Sequence, residues 1–134
     1  MGGNAQASRL RQRISQEARG LIYLAELAQE RSEMLPGSLY ERRRRCGKRG
    51  CRCVRGKLHK GTALAIRSGG RGRWVSLTGL EVEKVAGLTE SYRRFRHTRA
   101  ELVRAFGKLL RTFDELGRLR QVDIGGLHRT FLDA

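Results

Sequence analysis

The chain has 134 residues, 39% of them apolar, and a net charge of +16 from 29 basic and 13 acidic side chains. That apolar share is too large for a purely disordered basic tail, and the length suits one domain. The longest apolar run, Leu21–Ala25, is too short to span a bilayer, and residues 1–10 hold no secretory-type apolar stretch, so a cytoplasmic chain with no membrane partner is expected.

In chain order, residues 5–35 read as a first helix. Ile14, Ala18, Leu21, Ala25, Ala28 and Leu35 recur at three- and four-residue steps. Gly20 is a mild flaw, costing roughly 1 kcal/mol against Ala, and Pro36-Gly37 ends the helix. This first segment is neutral, with five basic and five acidic residues in positions 1–41.

Residues 38–78 form the next module, and the charge gathers here. Positions 42–80 hold thirteen basic residues and no acidic one. "TALAI" (62–66) and "RWVSL" (73–77) read as strands joined by the glycine-rich turn "RSGGRG", and "SLYERRRR" (38–45) reads as a third. Leu64, Ile66, Val75 and Leu77 are expected on one face. Trp74 is expected on the other, beside Arg67 and Arg73.

All three cysteines, Cys46, Cys51 and Cys53, fall within "CGKRGCRC", and His59 follows six residues later. Three thiols and an imidazole in the pattern C-x4-C-x-C-x5-H supply the four ligands of a tetrahedral zinc ion. Gly47 and Gly50 let the backbone turn tightly around an ion, and nearby cations favour the thiolate that binds metal. Four protein ligands leave no position for substrate, so Zn2+ would be structural. Two alternatives stay open: redox-sensing thiols, and reduced cysteines without a metal. His97 and His128 read as plain surface or tail residues.

Arg42, Arg43, Arg44, Arg45, Lys48, Arg49, Arg52, Arg55, Lys57 and Lys60 place ten cations within nineteen residues. Arg67, Arg71 and Arg73 add three on the hairpin. Guanidinium groups chelate phosphates, so DNA or RNA is the expected partner. Trp74 is a candidate for stacking on an unpaired base; the plainer reading is a half-buried strand tryptophan.

Residues 80–121 read as a long heptad helix, roughly 60 Å at 1.5 Å per residue. Val85, Leu88, Tyr92, Phe95, Leu102, Phe106, Leu109, Phe113 and Leu116 follow a 3-4-3-4 rhythm that only Arg99 interrupts. The seam is longer than the first helix can cover, so a homodimer or a helical protein partner is expected beside an intramolecular core. Residues 122–134 read as a loosely attached tail.

The stretch "GSLYERRRRCGKRGCRCVRGKLHKG", followed by "SYRRFRHTRAEL" at 91–102, resembles a family of small bacterial proteins of unknown function. The resemblance covers roughly residues 37–116, and the cysteine cluster is its most specific part. The chain departs from many relatives where "HKGTALAI" replaces a Gly-Pro and a run of aromatics. The family's frequent association with mobile elements implies a nucleic-acid setting by analogy.

The resulting expectation is an α+β protein: two long helices, as an antiparallel hairpin or coiled coil, carrying a three-stranded β unit with a zinc knuckle. Its expected role is a nucleic-acid-binding accessory protein. The rival is a coiled-coil assembly protein whose cations meet an acidic protein. An enzyme is not expected, because no nucleophile–base pair or carboxylate cluster can be assembled near the basic centre.

Overall fold

The computed structural model describes residues 2–127. It is α+β: α1 (Gly2–Leu27), β1 (Ser38–Arg44), a 3-10 turn (Arg52–Arg55), β2 (His59–Ser68), β3 (Arg71–Leu77), α2 (Gly79–Arg120) and a single helical turn, α3 (Ile124–Leu127). The chain divides into two compact units, Arg31–His97 and the pair of segments Met1–Glu30 and Thr98–Ala134. The long helix α2 contributes its first half to one unit and its second half to the other.

The first helix ends at Leu27, eight residues before the expected stop. Ala28 donates to the Leu24 carbonyl, and Gln29 closes a tighter bond to Glu26. From Gln29 through Glu33 the chain offers no apolar side chain for a further helical turn to bury. Leu35 also precedes Pro36, which disfavours helical backbone at Leu35. Its N–H instead donates to the Leu88 carbonyl at 3.0 Å.

The second helix spans Gly79–Arg120, one residue offset from the expected 80–121 at each end. Its start follows the Thr-x-x-Glu logic. The Glu81 carboxylate accepts a bond from the Thr78 N–H at 3.0 Å, and the Thr78 carbonyl accepts from Val82. An acid in the first turn also meets the positive end of the helix dipole. Of residues 122–134, expected as a loosely attached tail, the structure describes a helical turn at Ile124–Leu127; the rest, His128 included, lies outside the described residues.

In the unit of residues 1–30 and 98–134, Ala7, Leu10 and Leu116 form a small buried cluster with Ile14 packed against it. The Thr112 hydroxyl donates to the Glu17 carboxylate at 2.8 Å. Moving up α1 from Leu10 to Glu17 therefore means moving down α2 from Leu116 to Thr112. On α2 the covered positions are Leu102, Ala105, Leu109, Thr112 and Leu116. Phe106 and Phe113, expected in the same seam, are 54% and 50% exposed, together with Val103 and Leu110. At about 100° per residue, these four lie on an adjacent strip of the helix. The apolar band of α2 is wider than α1 alone covers, and Arg99 is exposed.

In the unit of residues 31–97, β1, β2 and β3 form an antiparallel sheet in that order. Ser68 pairs with Arg71 across Gly69 and Gly70, whose φ angles are 60° and 79°. Positive φ at both central residues is what a two-residue type I′ hairpin requires. Gly37 is constrained differently. A Cβ there would lie 2.9 Å from Ile66 Cγ2 and from Leu64 Cδ1, and 3.0 Å from the Ala65 carbonyl oxygen. Ala63 and Leu64 on the central strand are buried. Val85, Leu88, Tyr92 and Phe95 of α2 are half-buried in this unit.

Candidate metal centre and basic sheet face

The fourteen residues between β1 and β2 contain little that water would expel. Val54 and Leu58 are exposed, and Cys53 is the one fully buried side chain of the segment. What organises it is a set of turns. Gly47 and Gly50 each take φ 78°, a conformation that L side chains rarely adopt. The 3-10 turn follows, closed by the Val54 N–H to the Cys51 carbonyl and by the Gly56 N–H to the Cys53 carbonyl, with Gly56 at φ 100°.

These turns bring Cys46, Cys51, Cys53 and His59 together, with one ligand atom from each lying within 4.8 Å of all the others. Cys46 Sγ and Cys53 Sγ are 3.5 Å apart, and Cys51 Sγ is 3.1 Å from His59 Nε2. A zinc tetrahedron with bonds of about 2.3 Å to sulfur and about 2.0–2.1 Å to nitrogen has edges of roughly 3.8 and 3.6 Å. The four side chains are therefore close enough to hold a metal ion, and their donor chemistry fits one.

The sheet anchors one side of this cluster. His59 is the first residue of β2, directly across the ladder from Arg44, and Cys46 lies two residues past that pair. Two ligands thus flank the end of a hydrogen-bonded ladder, and the other two come from the loop it closes.

Electrostatics differ among the thiols. Cys51 is lowered to about 6, first by its backbone hydrogen bond with Cys53, then by the His59 imidazole and the neighbouring thiols. At Cys53 the Cys46 N–H, 3.5 Å from the sulfur, pulls the thiol down. Burial and the adjacent Cys46 and Cys51 outweigh it and push Cys53 up. A cation at the centre is the group that would allow several thiolates to coexist there.

The basic residues divide by strand register. Pairing of Tyr40 with Ala63, Arg42 with Gly61 and Arg44 with His59, and of Ala65 with Trp74, sets one face of the sheet. Arg42, Arg44, His59, Arg67 and Trp74 share it. Arg43 alternates to the opposite face and pairs with Glu41 at 3.3 Å, both side chains being exposed. Leu64 and Val75 share that opposite face with Leu77 and Ile66, as expected. Arg73 joins them there, because it pairs with Ile66. The expectation that Arg73 stands beside Trp74 on one face is corrected by this register; its side chain still lines a pocket with Trp74 at the sheet's end.

Arg45, Lys48, Arg49, Arg52, Arg55 and Lys57 lie on the connector around the cysteines, and all are exposed. Lys60 lies on β2 and Arg71 on β3 beside the turn, both exposed. Arg42, Arg44 and His59 line a pocket of about 220 Å³ whose floor includes Gly61 and Ala63.

One residue of this face was missed from sequence. The ring centroid of Tyr40 lies 4.5 Å from that of Trp74, at 84° between planes, edge against face. Tyr40 and Trp74 flank the central strand from opposite sides. They meet because Ala63 and Ala65 beneath them are small. The signal was present in "GTALA": Gly61, Ala63 and Ala65 alternate as small residues on one face of a strand.

The model of a family described as a domain of unknown function, DUF6788, matches residues 7–73. That is half of the chain, and the chain belongs to this family. The match begins inside α1 and ends in β3, so it takes in the cysteine cluster but does not reach "SYRRFRHTRAEL", the helical element of the expected resemblance. No curated protein and no solved structure matches the chain. No helix among the described residues is long and apolar enough to cross a membrane.

Proposed function

We propose that this chain is a zinc-stapled, basic nucleic-acid-binding accessory protein. The observation that carries the reading is a coincidence of place. A four-ligand cluster closes the end of the β1–β2 ladder at Arg44 and His59, inside the segment with thirteen cations and no acid. Three soft thiolates and one imidazole suit zinc, and four protein ligands complete its coordination, so the ion is structural. Its work is to hold a polar connector that lacks an apolar core and so display the arginines around it.

The acids nearest the basic segment support binding over catalysis. Glu41 is paired with Arg43, and Glu81 caps α2. Reduced thiols at a metal centre suit a reducing cytoplasm. The resemblance to mobile-element-associated proteins supports a nucleoprotein complex as the setting.

The test is a mobility shift of a labelled oligonucleotide at rising salt. With six or more phosphate contacts, log K falls against log salt with a slope steeper than about −4. The double variant Arg42→Glu/Arg44→Glu reduces that slope by at least about 1.4, because two phosphate contacts are lost. A flat salt response overturns the reading.

A second reading rests on the strip of Val103, Phe106, Leu110 and Phe113, exposed on α2. In it, α2 pairs with a helix of a second copy or of another protein, and the basic patch meets an acidic protein. Sedimentation at rising concentration tests this. Phe106→Glu/Phe113→Glu abolishes self-association if the strip is an interface. Because both rings are half exposed, the variant leaves the monomer folded.

A further inference from the structure

We infer that the sheet face bearing Trp74 selects single-stranded nucleic acid by stacking an unpaired base on that indole. This rests on the nucleic-acid reading above and specifies its substrate.

Trp74 is the chain's single tryptophan, and it lies on β3 with 62% of its surface exposed. A tryptophan in a strand usually buries its large apolar area against a core. Here the ring is held in place instead: the edge-to-face contact with Tyr40 fixes its orientation, while most of it faces outward. Trp74, Tyr92, Pro36, Arg67 and Arg73 line a pocket of about 370 Å³. The basic pocket of Arg42, Arg44 and His59 lies further along the same sheet.

The register gives the spacing. Trp74 pairs with Ala65, and Arg42 pairs with Gly61, four residues along β2. At about 3.3 Å per residue the stacking position and the phosphate position are roughly 13 Å apart along the strand. Between them on this face lie Ala63 of the central strand and Tyr40 of β1, whose ring meets Trp74 and extends the aromatic surface toward Arg42. An aromatic platform followed by guanidiniums along one face is the arrangement that binds single strands, where every base offers a π-face and the backbone carries the charge. In a duplex the bases are already stacked, and extruding one costs a few kcal/mol. Charge complementarity alone would accept either form; the exposed, braced indole favours the single strand.

Trp74 also reports on the event, because its emission comes from the stacking site itself. The experiment titrates the full-length protein, metal bound, with a single-stranded DNA, the same sequence as RNA, the corresponding duplex, and poly-glutamate as an acidic-peptide control. Expected are quenching of Trp74 emission in step with binding of a single strand, and single-strand affinity at least tenfold above duplex. The tighter of the DNA and RNA arms names the natural strand, and either supports the inference. Trp74→Ala weakens single-strand binding on the order of tenfold to hundredfold and leaves duplex binding unchanged. Trp74→Phe restores most of the loss. Metal content and circular dichroism of the variants check the fold, while the emission of the wild-type protein needs no variant. The inference is overturned if oligonucleotides bind without altering Trp74 emission, if duplex binds as tightly as single strand, or if poly-glutamate quenches equally. If neither single strand nor duplex binds at all, the parent nucleic-acid reading fails, and this one with it.

Discussion

The two units of this chain solve the same problem, ordering a short polar polypeptide, by different physics. In the unit of residues 1–30 and 98–120 the ordering comes from helices whose backbone bonds are satisfied locally, plus a small apolar cluster of Ala7, Leu10 and Leu116. In residues 31–97 it comes from a three-stranded ladder, at whose end four side chains converge closely enough to hold a metal ion. The helical unit carries mixed charge on its surface. The sheet unit carries a run of cations that repel one another and therefore need a non-apolar clamp. Every cysteine lies in the second of the two units.

Removing the clamp is the most disruptive change to that contrast. Cys53→Ser, or chelation of the wild-type protein, should eliminate stoichiometric metal and unfold the connector between β1 and β2. Structural zinc in small modules contributes on the order of 10 kcal/mol, and here the connector has almost no apolar alternative. Native mass spectrometry reads the metal, and amide exchange reads the loop. Protection in α1 and in the second half of α2 should persist; its collapse would show that the two units are not stabilised separately.

Leu10→Ala addresses the other half. Leu10 is 4% exposed in a cluster with few members, so its truncation should cost about 2–5 kcal/mol, toward the low end because a small core relaxes easily. Thermal unfolding followed by helical signal measures it. Metal content should be unchanged.

Gly37→Ala tests close approach within the sheet unit. The new methyl would meet Leu64, Ile66 and the Ala65 carbonyl at 2.9–3.0 Å, for a cost of about 1–3 kcal/mol. The matching change in α1, Gly20→Ala, meets nothing within 4 Å and should stabilise the helix by about 0.5–1 kcal/mol. Opposite signs from the same chemical substitution would separate a glycine kept for space from one that merely weakens a helix. Denaturant midpoints at unchanged slope decide it.

Much of this architecture could be read from local pattern. The ligand set was visible as four residues of suitable donor chemistry within fourteen positions. The hairpin was visible in "RSGGRG", and α2 in its apolar recurrence. The early end of α1 was harder to see, because Ala28 and Leu35 continue the helical spacing on paper. Five of the six residues between them, Gln29–Glu33, are polar with nothing to bury. The apolar recurrence of α2 reads as one stripe, yet Leu102, Leu109 and Leu116 are covered while Phe106 and Phe113 remain half exposed. Periodicity gives the angle between side chains and not the width of the helix that will cover them. The place of Tyr40 is not legible in sequence, because its partner, Trp74, lies thirty-four positions away on a strand that is not its neighbour.

The sequence by itself determined the elements, the charge segregation and the chemistry of the donor set, because these depend on residue type and short-range spacing. Tertiary structure decided which arginines share a face with Trp74, which half of the α2 apolar band is buried, and that four donor atoms fall within one coordination sphere. Those outcomes depend on register, turn conformation and packing between segments distant in the chain; a one-residue slip in a strand, for instance, would carry its arginines to the opposite face.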